Sequence, residues 1–308
     1  MKKICALLIA TLLLASFAAC KGGGTKAPPA PEGRTVTDMT GRTVTLPEQV
    51  ERIVVLTAGD CEILYALGAG DRIVGRGEYC DYPADVLDVP SVQSGYDTNV
   101  EQIVALKPDV VVMSTMAQTN EHIESIEKVG IPVVVTEAPN LGGVYEAIAL
   151  LGQVVGKTSE ADALIQSMKD AFAALKAKVP QLDKKPAVYF EVSPLQYGLW
   201  AAGSGTFMDE LGNMLGAENI FADLTGWVQV SEEQVIQRNP DFIVTTTMSY
   251  EGSPDPIEEI KSRAGWENIT AVASGRILNA DNDEITRPGP RLADAARQLF
   301  ELLYGGAD

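Results

Sequence analysis

The side chains able to do chemistry in this chain gather just after its apolar runs. Asp60 and Cys61 follow RIVVLT, and the loop GEYCDYPADVLDVPSVQSGYD after DRIVGR carries Tyr79, Cys80, Asp81, Tyr82, Gln93, Ser94 and Tyr96. Tyr197 and Trp200 follow AVYFEV, Met248 and Tyr250 follow DFIVTTT, and Asp281 to Arg287 follow RILNA. If these runs are strands of open α/β sheets, the residues lie outside the carboxyl ends, where such sheets bind ligands. The set is aromatic and polar, suited to holding a flat ligand. It does not assemble a catalytic site. His122 is the only histidine and is expected on a helix surface; no G-x-S-x-G is present, and AAGSGT lacks the lysine of a phosphate loop. A single imidazole also argues against a zinc or manganese centre, so neither an enzyme nor a resident metal or cofactor is expected. Two weaker signals stay open. Gly203 to Gly205 before a helix can seat an anion or simply form a tight strand–helix turn. Arg287 and Arg291 can hold a ligand carboxylate or cap and solvate the following helix, with the structural role favoured for Arg291.

The elements that would position these residues come in duplicate. NVEQIVALKPDVVVMST, from Asn99 to Thr115, is echoed by SEEQVIQRNPDFIVTTT, from Ser231 to Thr247. In each copy a cap residue, Asn99 or Ser231, precedes Gln102 or Gln234 by three positions, which is capping-box spacing. A short helix should follow and stop at Pro108 or Pro240. The β-branched runs after it read as strands buried on both faces of a parallel sheet. ALGAGDRI and MLGAENI repeat a second helix end in the same order. Between these anchors the first half carries roughly 16 extra residues, and the excess falls in the Tyr79 to Tyr96 loop. The chain therefore reads as two related α/β lobes with parallel sheets. Between the halves, Ala161, Leu164, Ile165, Met168, Ala171, Phe172 and Leu175 recur three or four apart, predicting one helix from Ser159 to Val179, about 30 Å long. VTDMTGRTVTLP, Val36 to Pro47, predicts a small hairpin before the first lobe.

A chain of 308 residues with 46% hydrophobic content can build two ordinary cores. Its formal net charge of -18 repels nucleic acid and anionic lipid. Lys2 and Lys3 precede the apolar run ALLIATLLLASF, too short for a comfortable membrane span, and Ala18, Ala19 and Cys20 supply a small-residue cleavage site. Removal of that signal takes the mature charge to about -20. The site resembles a bacterial lipobox with Phe17 where Leu is more usual, implying cleavage before Cys20, lipidation of Cys20, and an extracytoplasmic protein anchored to the bacterial cell membrane. KGGGTKAPPAPEG then reads as a flexible tether. With Cys5 removed and Cys20 acylated, Cys61 and Cys80 remain. Outside the cytoplasm they can form a disulfide worth about 3 kcal/mol or stay two reduced small hydrophobes.

DMTGRTVTLPEQVERIV, EYCDYPADV, EQIVALKPDVVV, the long helix, TFMDELGNMLGAENI, EEQVIQRNPDFIV and RPGPRLADA together resemble the substrate-binding lipoproteins of ABC importers for cobalamin, ferric siderophores and haem. The likeness runs from Val36 to about Gly305. It implies two Rossmann-like lobes joined by one long α-helix, a metal-chelate ligand clasped between them, and delivery to an ABC permease and its ATPase by a monomer. Residues 1–19 would be the lipoprotein signal and 20–34 the tether; residues 35–157 and 181–308 would be the ligand-binding lobes, bridged by 158–180. In the family, glutamates at the lobe tips dock onto permease arginines, and Glu101 and Glu233 occupy those positions. Tyr79 and Trp227 resemble positions where cobalamin binders place aromatics against the corrin. Trp227 lies six residues before Glu233, whereas the equivalent spacing before Glu101 gives Gly95 beside Tyr96 in place of the family's Trp. The expected ligand set is Asp60, Cys61, Tyr79, Tyr82, Tyr96, Tyr197, Trp200, Trp227, Tyr250 and Arg287. The expected cargo is a corrinoid or ferric siderophore. Haem, with Tyr79, Tyr197 or Met248 as axial ligand, is the alternative within the family, and an enzyme or surface scaffold on this fold is the alternative outside it.

Overall fold

A computed structural model of the chain describes residues 33–115, 119–248, 252 and 254–305. The hairpin forms as expected, pairing β1 (Arg34–Thr37) antiparallel with β2 (Thr43–Leu46) around Gly41, whose φ of 82° a side chain would resist. The first lobe follows as β3 (Ile53–Val55), α1 (Ala58–Ala66), β4 (Ile73–Gly77), β5 (Ser91–Val92), α2 (Val100–Ala105), β6 (Val110–Ser114), α3 (Asn120–Lys128), β7 (Val133–Thr136) and α4 (Leu141–Val155). Its sheet is wholly parallel in the order β5-β4-β3-β6-β7. Alternate residues serve two cores. Ile53, Val55, Val110, Val112 and Val134 face one helix layer, while Val54, Val111, Met113, Val133 and Val135 face the other. That period of two, with both faces covered, is why these strands are apolar throughout.

The linking helix α5 (Thr158–Lys176) ends three residues earlier than its periodicity predicts, and turn bonds from Lys178 and Val179 close it. Ala161, Met168, Phe172 and Leu175 are buried along one side, so α5 is a packed element with a solvated face. Gly156, at φ 70°, ends α4, and a Cβ on Gly152 would sit 2.5 Å from the Ala161 side chain, so glycine lets α5 fold back closely on α4.

The second lobe contains β8 (Ala187–Ser193), β9 (Trp200–Ala202), α6 (Phe207–Met214), β10 (Glu218–Asn219), β11 (Trp227–Gln229), α7 (Glu232–Arg238), β12 (Phe242–Thr245), α8 (Pro256–Ser262), α9 (Thr270–Ala273), β13 (Ile277–Asn279), α10 (Asn282–Thr286) and α11 (Leu292–Tyr304). Strands β10, β8, β12 and β13 are parallel, but β9 and β11 add an antiparallel edge, giving the order β11-β9-β8-β12-β13. Val188, Phe190 and Val244 join the same core as Ile53 and Val55, together with α1, α4, α5, α6 and α11. The two lobes thus share one apolar interior behind their sheets.

Both repeat copies fold as helix–strand units, α2–β6 and α7–β12. They end alike: Lys107 and Asn239, each just before a proline, have φ of 50° and 44°. Left-handed backbone there stops the helix where the following proline disfavours the right-handed α conformation.

Candidate functional site

The carboxyl-end loops of the two sheets meet at a seam. From the first lobe come the start of α1, after β3, and the loop after β4; from the second comes residues 287–291, between α10 and α11. The approach at Gly59 is close enough that a Cβ there would lie 2.8 Å from the Pro288 carbonyl oxygen. In the loops that follow strands of the two sheets lie exposed aromatics, Tyr79 (72%) and Tyr82 (46%) after β4 and Tyr197 (72%) after β8. Trp200 and Trp227 lie on neighbouring antiparallel strands. In the register Trp227–Ala202 and Gln229–Trp200, both indoles project from the same sheet face, and Trp227 leans edge-on against Phe207 at 5.6 Å between ring centroids. Trp200 is therefore strand-borne, not part of a loop. Tyr96 is exposed on a short turn at Gly95–Asp97 before α2, and Met248 is exposed after β12. Tyr250 lies outside the described residues, as does Cys20.

Two expected ligand residues are corrected by burial. Asp60 and Cys61 belong to the first turn of α1, which tucks under the seam, leaving them 4% and 0% exposed. Asp60 accepts a hydrogen bond from Thr136 Oγ1 at 2.9 Å, and burial pushes its carboxyl up to about 7 against that bond. Cys61 and Cys80 are both free and buried, so the disulfide alternative gives way to two thiols. The neighbouring Cys80 thiol, reinforced by burial, pushes the Cys61 thiol far above its ordinary range. The Gly203–Gly205 stretch is likewise a turn. Gly203 N and Ser204 N donate to the carbonyls of Gly226 and Leu224, and Thr206 Oγ1 caps α6, leaving those amides occupied. His122 Nδ1 accepts from Thr119 N and completes the cap of α3.

What sequence reasoning does not single out is Glu62. Its carboxylate, 2% exposed, takes Arg291 in a two-pronged pair at 2.9 and 2.7 Å and Arg287 at 3.3 Å. Arg287 also grips Asp81 at 2.5 and 3.2 Å and Asp283 at 2.6 Å. The Arg291 guanidinium covers the Tyr82 ring at 4.2 Å. The hydrogen bond from Arg287 holds the Asp81 carboxyl below its usual range, and the bond to Glu62 raises Arg291 despite burial. For Asp283, burial outweighs Arg287 and raises the carboxyl. Arg287 and Arg291 are thus cross-lobe ties, and the four-residue spacing of the two arginines, on one side of a helix start, was the only linear trace of it.

The paired glutamates are presented differently. Asn99 Oδ1 accepts from Gln102 N and Ser231 Oγ from Gln234 N, so Glu101 and Glu233 are each the second residue of a capped helix, exposed to solvent. The second cap is reciprocal, with Gln234 Oε1 returning to Ser231 N, whereas Gln102 Oε1 turns to Gln93 N in the inserted loop. Backbone hydrogen bonding at the helix start, with help from Ser231, lowers the Glu233 carboxyl.

A cavity of about 220 Å³ opens at the carboxyl end of the second sheet, lined by Val192, Gln196, Tyr197, Thr247, Met248 and Asn282. Another of about 350 Å³ lies beside the seam against Tyr65, Tyr82 and Arg291. A further cavity of about 540 Å³ is at the opposite, amino end of β8 and β12 between Lys184, Arg276 and α11. Among the described residues, no group of three or more His, Cys, Asp or Glu is arranged to hold a metal ion.

Comparison with known proteins gives a consistent picture. A family model described as periplasmic binding protein matches residues 53–284. An uncharacterized ABC transporter substrate-binding lipoprotein of Bacillus subtilis, YvrC, is 36% identical over 275 residues, covering 88% of this chain and 85% of that one. The vitamin B12-binding protein of Vibrio parahaemolyticus is 28% identical, covering 82% and 90%. A solved structure from Staphylococcus epidermidis, described as a possible iron-binding (periplasmic solute-binding) protein, superposes with a TM-score of 0.73 at 33% identity, covering 83% of this chain and all of that one.

Proposed function

Since the chain belongs to the periplasmic binding protein family and is a solute-binding protein of ABC import, not an enzyme, we propose that its cargo is a metal chelate, a corrinoid or a ferric siderophore, held at the seam between the lobes. One observation carries this reading: exposed aromatic rings, Tyr79 and Tyr82 on one side and Tyr197 and Trp200 on the other, stand at the carboxyl ends of both sheets. Exposed rings at the ligand-binding ends of two sheets suit a flat macrocycle or a compact chelate that brings its own metal ligands. The B12-binding relative supports the corrinoid, and the iron-binding neighbour supports the ferric chelate. Delivery would use Glu101 and Glu233 as contacts for basic residues of the permease, whose ATPase drives import, with lipidated Cys20 keeping the protein at the outer face of the cell membrane. Such exposed charges act mainly on orientation and on-rate.

Titration with cyanocobalamin, cobinamide, haem and ferric hydroxamates, read through tryptophan fluorescence, tests the cargo. Saturable binding of a corrinoid or hydroxamate is expected; binding of haem alone selects the haem reading, and binding of none refutes the proposal. In cells, Glu101→Ala/Glu233→Ala should abolish uptake while leaving that titration unchanged, and undiminished uptake would refute the docking role.

A further inference from the structure

The arginine best placed to meet a ligand carboxylate is already engaged. Arg287 has 12% of its side chain exposed, and Asp81, with 45%, covers it from the solvent side with both oxygens. Arg287 is also paired with Glu62, 2% exposed, and with Asp283, 33% exposed. Arg291 is occupied by Glu62 and stacked on Tyr82. Arg76, at the base of the same loop, directs Nε and Nη1 to the carbonyls of Val89, Gly77, Glu78 and Cys80. Glu62, Asp81 and Asp283 thus outnumber Arg287 and Arg291 at the point where the lobes touch, and a negatively charged ligand would have to displace a carboxylate to reach a guanidinium.

Resting on the cargo reading above, we propose that Asp81 is a specificity-determining residue: by occupying the solvent face of Arg287 it makes the interlobe site take neutral or cationic chelates and refuse anionic ones. The mechanism is exclusion through an unfavourable charge already in place, the repulsive half of specificity. Asp81 is also the natural place for such a filter in the chain, because it sits two residues from Tyr79 and next to Tyr82 in the loop that only the first lobe carries.

The test uses matched ligands differing chiefly in charge: haem against its dimethyl ester, cyanocobalamin against its monocarboxylates made by hydrolysing one side-chain amide, and a neutral N-acetylated ferric trihydroxamate against its anionic N-succinylated counterpart. In whichever pair binds, the wild-type protein should favour the neutral member by about tenfold or more, a difference of about 1.4 kcal/mol. Asp81→Asn should cut that preference at least about fivefold by tightening the anionic member, and Asp81→Glu should restore it. A loop merely disturbed by substitution would weaken both members alike, which overturns the proposal. So does a wild-type preference for the anionic member, a measurement that stands even if Asp81→Asn fails to fold. If a neutral chelate binds but the preference ignores residue 81, the charge filter falls and the cargo reading stands. If no member of the three pairs binds wild type, both fall.

Discussion

Removing the Glu62 charge should loosen the seam by an amount that separates a desolvated tie from a surface ion pair. Glu62 is 2% exposed and Arg291 14%, with two charge-assisted bonds at 2.9 and 2.7 Å. Bonds to charged groups are worth about 1.5–3 kcal/mol, while stripping one partner from a fully buried pair costs about 3–5 kcal/mol. Here the arginines keep some water, Arg287 retains Asp81 and Asp283, and Arg291 retains Tyr82. Glu62→Gln should therefore destabilise the protein by about 2 kcal/mol, since the amide preserves shape and one acceptor but not the charge. The decisive measurement is a double-mutant cycle of Glu62→Gln with Arg291→Met, by equilibrium urea unfolding. A coupling of about 1.5–3 kcal/mol is expected, against about 0.2–1 kcal/mol for exposed pairs. Arg291→Lys should fall short of wild type, because an ammonium cannot make the two-pronged contact. A coupling below about 0.5 kcal/mol would refute the claim that these groups tie the lobes.

Two further outcomes follow from the same region. Asp60 has a carboxyl raised to about 7 in the fold against 3.8 ordinarily, so the folded state holds a proton that the unfolded state releases. Stability should fall as pH rises from about 4 to 7 and level off above, and Asp60→Asn, which keeps the acceptor for Thr136, should recover up to about 4 kcal/mol at pH 8 with little effect below pH 4. Unfolding curves of the two proteins that run parallel across that range would contradict it. Gly59→Val should push its side chain into the Pro288 carbonyl, 2.8 Å from the Cβ position, and cost about 1–3 kcal/mol by calorimetry; an unchanged melting temperature would show that the seam yields there freely.

The elements with a clear period were legible in the sequence, and those defined by tertiary pairing were not. The hairpin, the α2–β6 and α7–β12 units and α5 carry caps, breakers and periods of 2 or 3.6 that local physics enforces. Strands β9 and β11 are three residues each, too short for alternation to register, and their direction is set by the edge of β8. The burial of Asp60 and Cys61 depends on how α1 packs within its own lobe, Asp60 against Thr136 and Cys61 against Cys80, contacts that no linear pattern encodes. Glu62 and its arginines lie 225 and 229 positions apart, and an Arg-x-x-x-Arg spacing at a helix start has a local explanation that conceals the distant one. The exposure of Tyr79, Tyr82 and Tyr197 was legible because they follow apolar runs that read as strands, where loops reach solvent.

The duplicated glutamates make a demand on the rest of the molecule. On the docking role proposed for Glu101 and Glu233, contacts carried on two lobes define a spacing only if the lobes do not slide past one another. Two features resist sliding: the shared core through α4, α5, α6 and α11, and the ties from Glu62 to Arg287 and Arg291. The second is built into the loop proposed to hold the ligand, since Asp81 contacts Arg287 and Tyr82 contacts Arg291. A ligand that shifts Tyr82 or competes with Asp81 therefore acts on the groups that hold the lobes together. Reciprocity then requires that a change in those ties alter ligand affinity by the same free energy with which the ligand alters lobe spacing. On the proposed ligand and docking roles, occupancy and docking geometry would be read from one set of ion pairs, joined in the loop that distinguishes the first lobe from the second.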